Sequence, residues 1–210
     1  MRSTTRTLAA LIAAATALSG CLAHAINEKN GLRYHDAGLA AEQAGDFKTA
    51  ERDYFRALIN FRDGDLPESY LSMELYNLGR MEGYNCKYGD AKAHLLDALD
   101  REERLSGPES SLTTKRLFEL ARLSYDRGEY ADAAIYYGRG IPAVRKLGIE
   151  KTDPLTLANA LDEYATALRY AGRSEKEAKA SVSAADALRA SHPGEEAKYN
   201  FVRYTRRCDH

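Results

Sequence analysis

Apolar and polar positions along this chain follow two regimes. Leu8 to Leu18 read L-A-A-L-I-A-A-A-T-A-L, eleven uncharged positions behind Arg2 and Arg6. From about residue 30 to residue 191 the pattern changes to apolar residues three and four apart, broken by short turns that mostly carry glycine. That spacing turns one face of a helix inward and predicts a succession of amphipathic helices. Residues 192–210 are polar and basic.

The helical region repeats. Y-H-D-A-G-L-A-A-E-Q-A-G-D-F-K-T-A from Tyr34, L-Y-N-L-G-R-M-E-G-Y-N-C-K-Y-G-D-A from Leu75 and L-F-E-L-A-R-L-S-Y-D-R-G-E-Y-A-D-A from Leu117 align without gaps. A fourth segment from Leu161 matches over its first half. Gly38, Gly79, Ala121 and Ala165 share one position, where two helices must approach closely. Seven residues on stand Gly45, Cys86, Gly128 and Gly172, where glycine suits a helix end. Each unit therefore reads as helix, tight turn, helix.

These aligned positions resemble the tetratricopeptide repeat (TPR) over residues 30–191, with the departure that Glu82 takes a position usually aromatic. The small-residue anchors lie 41, 42 and 44 residues apart, longer than the common TPR period of 34 and similar to the long repeats of kinesin light chains. The resemblance implies an all-α, right-handed solenoid of about four antiparallel helix pairs. A C-terminal capping helix within residues 192–210 is expected to close the open end.

The apolar run near the start is an address. At about 1.5 Å per residue an eleven-residue helix falls well short of the roughly 30 Å hydrocarbon core, so the run reads as a signal segment rather than a span. Leu18-Ser19-Gly20-Cys21 resembles the lipobox of bacterial lipoproteins, which implies cleavage after residue 20 and acylation of Cys21. Ala23-His24-Ala25 also reads as an ordinary signal-peptidase site. Residues 1–20 are thus expected as signal peptide and 21–29 as a short tether from lipidated Cys21. By analogy Leu22, in place of Asp, implies the outer membrane, with the chain facing the periplasm. Several buried acyl chains make a durable anchor.

Charge excludes one class of partner. The 210 residues carry 30 basic and 31 acidic side chains, and loss of residues 1–20 removes two basic and no acidic ones, moving the formal charge from -1 to -3. No large positive field draws the chain to nucleic acid. The five histidines form no H-E-x-x-H pair, and no nucleophile elbow, Walker loop or G-x-G-x-x-G occurs. No catalytic residue, metal site or cofactor is expected, and the carboxylates read as solvated helical surface.

The TPR resemblance places function on the concave wall built by the first helix of each pair. Its offsets put Tyr76, Arg80, Tyr84, Phe118, Arg122, Tyr125, Arg169 and Tyr170 on that wall, and the same offsets also give the carboxylates Glu42, Asp126 and Asp162. Tyrosine and arginine are frequent binding anchors, so the wall is expected to hold a protein or peptide ligand, with acidic residues to meet the arginines. The Lys-Asn carboxylate clamp of chaperone-binding TPR domains is missing. The expected function is a lipid-anchored periplasmic scaffold in envelope assembly; the alternative is a recruiting or regulatory subunit for a cell-wall hydrolase or protease.

Two features of the end of the chain stay open at this level. Cys86 and Cys208 either pair in an oxidising compartment or stand as separate thiols, and a short tail of about 15–25 Å at some 3.3 Å per residue disfavours pairing. Lys198, Arg203, Arg206 and Arg207, interleaved with Tyr199, Phe201 and Tyr204, read either as the basic flank of a cap or as a membrane or partner patch. The lipobox is checked by acyl labelling in bacteria: the chain takes up labelled fatty acid and Cys21→Ser does not. Processing at Ala25 instead would leave both chains unlabelled.

Overall fold

The computed structural model describes residues 2–199, 203–205 and 208, with side chains from residue 23 onward among these. The lipobox side chains, Cys21 included, and Phe201, Arg206 and Arg207 lie outside the described residues. The described helices are α1 (Arg2–Gln43), α2 (Phe47–Asp63), α3 (Glu68–Tyr84), α4 (Tyr88–Ser106), α5 (Ser111–Asp126), α6 (Tyr130–Lys146), α7 (Ile149–Thr152), α8 (Pro154–Tyr170) and α9 (Glu175–Ser191). They pack as successive pairs, α1 with α2, α3 with α4, α5 with α6 and α8 with α9, and each pair stacks on the next. Residues 21–29 continue α1, and His24 there hydrogen-bonds the Gly64 carbonyl at the end of α2. Among the described residues no helix is long and apolar enough to cross a membrane.

Local chemistry sets the helix starts. Asp46, Ser110, Asp153 and Ser174 each accept a hydrogen bond from a backbone N–H three residues on, at 3.1–3.2 Å, which satisfies a donor the first turn leaves free. The small-residue position does what its spacing implies. A Cβ at Gly79 would lie 2.8 Å from Leu95 Cγ and 3.0 Å from the Ala91 carbonyl, so α3 and α4 meet where only hydrogen fits. The one-turn α7, inserted between α6 and α8, accounts for the longer spacing of 44 residues before the fourth repeat.

The turn after each first helix needs a left-handed residue. Gly45, Gly128 and Gly172 supply it at φ +75°, +71° and +63°, and Cys86 takes the same conformation at φ +67°. A residue with a Cβ costs about 1–2 kcal/mol there, so the second repeat spends stability on having a cysteine at this corner.

The core divides into one cluster along α1–α5, including Tyr54, Leu78, Met81, Leu95 and Leu120, another along α5–α9, and a smaller one of Ala57, Phe61 and Leu66. A buried polar knot joins repeats two and three: Arg116 Nη2 stands 2.9 Å from Glu102 Oε2 and donates to Ser72 Oγ at 3.0 Å. Such a pair holds register more than it adds stability, because desolvating two charges offsets most of their attraction.

The terminal piece differs from the expectation. No capping helix forms among the described residues after Ser191. Pro193 and Gly194, the latter at φ +79°, break the helix, and the chain turns back along the solenoid. Lys198 N donates to Asp153 Oδ1 and Tyr199 N to Thr156 Oγ1, both at 3.3 Å. Cys208 bonds Cys86, with 5.8 Å between their Cα atoms. The tail reaches farther than the expected 15–25 Å, because the whole stretch from Ser191 to Cys208, at about 3.3 Å per residue, can span on the order of 50 Å.

His94 Nδ1 lies 2.7 Å from Glu82 Oε2 and ties α4 to α3. The Glu82 hydrogen bond outweighs burial and, with Asp90 and Asp97, raises the imidazole above its ordinary 6.5. A histidine whose pKa rises on folding contributes stability in full below the unfolded value, and loses it as pH rises through the folded one. Thermal unfolding is therefore expected to come earlier at about pH 8 than at about pH 6, with His94→Gln showing a smaller difference between the two.

Candidate functional site: a concave wall occupied by the chain's own tail

The first helices α1, α3, α5 and α8 form one wall, and a single carboxylate organises its centre. Glu119 on α5 is buried, and from α3 it accepts a hydrogen bond from the Tyr76 hydroxyl at 3.2 Å and faces Arg80 Nε at 3.8 Å. Arg122 Nη2, on its own helix, and the Tyr204 hydroxyl from the tail bond its other oxygen. Burial pushes the Glu119 carboxyl up, but Arg122, Arg80 and the Tyr204 hydrogen bond outweigh it and hold the group below its ordinary value. Arg80 continues the network to Glu42 on α1, which also accepts from the Tyr54 hydroxyl at 2.9 Å.

Tyr204 fills the space beside this carboxylate and is fully buried. Its ring lies 4.7 Å from that of Tyr84, which stacks in turn on Phe47 at 4.4 Å. The Arg122 guanidinium sits over the Tyr204 ring at 4.8 Å and donates to its hydroxyl at 3.2 Å. Gly83 makes the room, since a Cβ there would come within 2.6 Å of the Tyr204 ring. One step back along the tail, Arg203 pairs with Asp126 Oδ1 at 2.8 Å and with Glu163 on α8, and its guanidinium lies 5.0 Å from the Tyr125 ring centroid. Asp126 Oδ2 also accepts the Tyr204 backbone N–H at 2.8 Å.

The residues expected on the wall therefore separate into groups. Tyr76, Arg80, Tyr84 and Arg122 come together in the Glu119 network, with Tyr76, Tyr84 and Arg122 buried. Tyr125 lies against Arg203. Phe118 instead packs between helices, 5.9 Å from the Tyr137 ring and against Gly140. Arg169 and Tyr170 sit at the outer edge: Arg169 Nε is 3.6 Å from Glu175, and Tyr170, 72% exposed, stacks on Tyr130 at 4.7 Å.

The expected acidic ligand needs correction. Arg80 and Arg122 already face Glu42 and Glu119, and what the wall offers the tail is the Asp126 and Glu163 carboxylates. The seated segment is basic and aromatic, so its Arg203 and Tyr204 are groove residues rather than surface. Helix offsets give the arginines together with Glu42 and Asp126, but miss Glu119 and Glu163. The signal in the sequence is Glu119, which stands three residues before Arg122 on the same helix. Among the described residues no group of three His, Cys, Asp or Glu side chains is placed to hold a metal ion.

No protein-family model matches this chain by sequence, and no curated protein does. Solved structures match its shape. BtubC (BKLC) from P. vanneervenii superposes with a TM-score of 0.68 over 80% of this chain and 68% of its own, at 21% identity. Two structures of a Podosopora anserina kinesin light chain with nearly identical TPR-like repeats give TM-scores of 0.62 and 0.61, each at 16% identity. They cover 77% and 79% of this chain and 75% and 77% of theirs. The fold is a TPR-like helical repeat.

Glu119→Gln leaves Arg122 facing a neutral amide in a dry site. Stripping one partner from a buried ion pair costs about 3–5 kcal/mol, and urea denaturation is expected to show a loss of that size. Tyr170→Ala at the exposed edge is expected to stay within about 0.5 kcal/mol of the wild type.

Proposed function

We propose that this protein is a non-catalytic scaffold that holds an extended segment of a partner protein on its concave wall, anchored by lipid at Cys21 in the bacterial envelope and facing the periplasm. The observation that carries the binding reading is the tail itself. Among the described residues, Lys198, Tyr199, Arg203 and Tyr204 of the tail meet the first helices of repeats four, three and two through side-chain anchors and backbone N–H groups. Peptide recognition in a groove uses the same combination, main-chain bonds for hold and side-chain pockets for choice. The repeat neighbours support the same class of role, since their fold presents such walls. The location rests on Leu18-Ser19-Gly20-Cys21.

Crosslinking and pull-down from bacterial membranes tests this reading. Arg169→Glu with Tyr170→Ala changes the exposed end of the wall while sparing the Glu119 network, and is expected to lose crosslinks that the wild type makes. Cys21→Ser is expected to lose those that need the membrane. An unchanged partner set in the first variant, with the fold intact, moves the binding surface off the wall.

A further inference from the structure

Four features of the tail go beyond a chain end packed onto a core. Its main chain is held by side chains of the wall, at Asp153, Thr156 and Asp126. Its two side-chain anchors enter separate subsites: Arg203 between Asp126 and Glu163, Tyr204 between Gly83, Tyr84, Glu119 and Arg122. The second subsite depends on a glycine whose missing Cβ is the space the ring occupies. Cys86, the residue that holds the tail down, occupies a left-handed corner that glycine fills in the other three repeats. A cysteine tolerated at that cost serves the bond it makes.

Resting on the scaffold reading and naming its ligand, we propose that these two subsites form a receptor for an Arg–Tyr segment. The chain's own Arg203–Tyr204 fills the receptor under the Cys86–Cys208 disulfide, and reduction of that bond opens it to the same sequence in a partner. The reduction is a two-electron exchange with a dithiol. The dithiol becomes a disulfide, and each of Sγ86 and Sγ208 gains one electron and one proton. While the bond stands, the tail cannot leave, and a competing segment meets a filled site. Once it is broken, the tail remains tethered at an effective concentration on the order of millimolar, so release is a competition rather than a loss.

The acidic lining selects the ligand. Asp126 and Glu163 favour arginine, whose fork spans both carboxylates, over lysine, a point charge. Glu119 and Arg122 together favour a phenol, because the hydroxyl donates to one and accepts from the other, whereas phenylalanine in the same place leaves both short of a partner.

The test uses the full chain and a fluorescent synthetic peptide with the sequence of residues 198–208, carrying serine for the last cysteine. In the full-length variant Cys208→Ser, Arg203→Glu, Tyr204→Ala the tail is present but disabled. Fluorescence anisotropy is expected to show saturable binding to this variant, and binding about 10²-fold weaker or absent for the oxidised wild type. Peptides with Arg203→Glu or Tyr204→Phe are expected to bind at least about tenfold more weakly than the parent, as loss of a charged or buried polar contact predicts. The peptide is also expected to raise the variant's melting temperature. A folded variant that does not bind, or one that unfolds and is not restored by the peptide, overturns the proposal.

Hydrogen exchange on the wild type gives an independent reading. Adding dithiothreitol is expected to speed exchange at Arg203–Thr205 while α3 and α5 keep their protection; an unchanged tail, or all three loosening together, means the segment is core and not ligand. Both assays use purified protein, so they can fail while the membrane pull-down succeeds, and the converse.

Discussion

Glu119 is a carboxylate that the fold has taken out of water, and much of the wall is arranged to make that tolerable. A buried charge costs several kcal/mol unless it is paired and hydrogen-bonded. Here two guanidiniums and two phenols, from α3, α5 and the tail, replace the hydration shell. Arg80 extends the arrangement to Glu42 on α1. One group thus couples three repeats and the terminal segment, and the positions of Tyr76, Arg80, Arg122 and Tyr204 are consequences of its need for partners.

This constraint changes what the wall means chemically. Judged by its arginines it is basic; judged by its net environment it is balanced at the centre and acidic toward repeat four, where Asp126 and Glu163 meet Arg203. A solenoid in which each repeat touches only its neighbours is open to deformation along its length. The tail works against that, because it contacts repeats four, three and two and then closes covalently on Cys86. Loop closure over the 122-residue separation of the cysteines restricts the unfolded chain as well as holding the folded one.

Cys86 shows how a local cost points to a distant purpose. The left-handed corner after the first helix is a backbone requirement, and three of the four repeats meet it with glycine. The second repeat accepts a strained residue because its sulfur reaches the far end of the chain. Gly83, three residues earlier in the last turn of α3, is the complementary case, where absence of a side chain is what the tail requires.

The helical class, the pairing of helices, the close approach at Gly38 and Gly79 and the corners at Gly45, Gly128 and Gly172 were all legible in the sequence. They are local or periodic: a helix face, a turn and a missing Cβ each announce themselves within a few residues. The short α7 was visible only as a longer spacing between repeats. The occupant of the wall was not legible, and neither was its polarity. Arg203 and Tyr204 lie about eighty residues from Asp126 and Glu119, no periodicity links them, and a polar basic tail reads the same whether it caps, dangles or folds back. Only the tertiary structure decides which charges neutralise one another, because pairing depends on through-space distance and burial, and one-dimensional spacing carries neither.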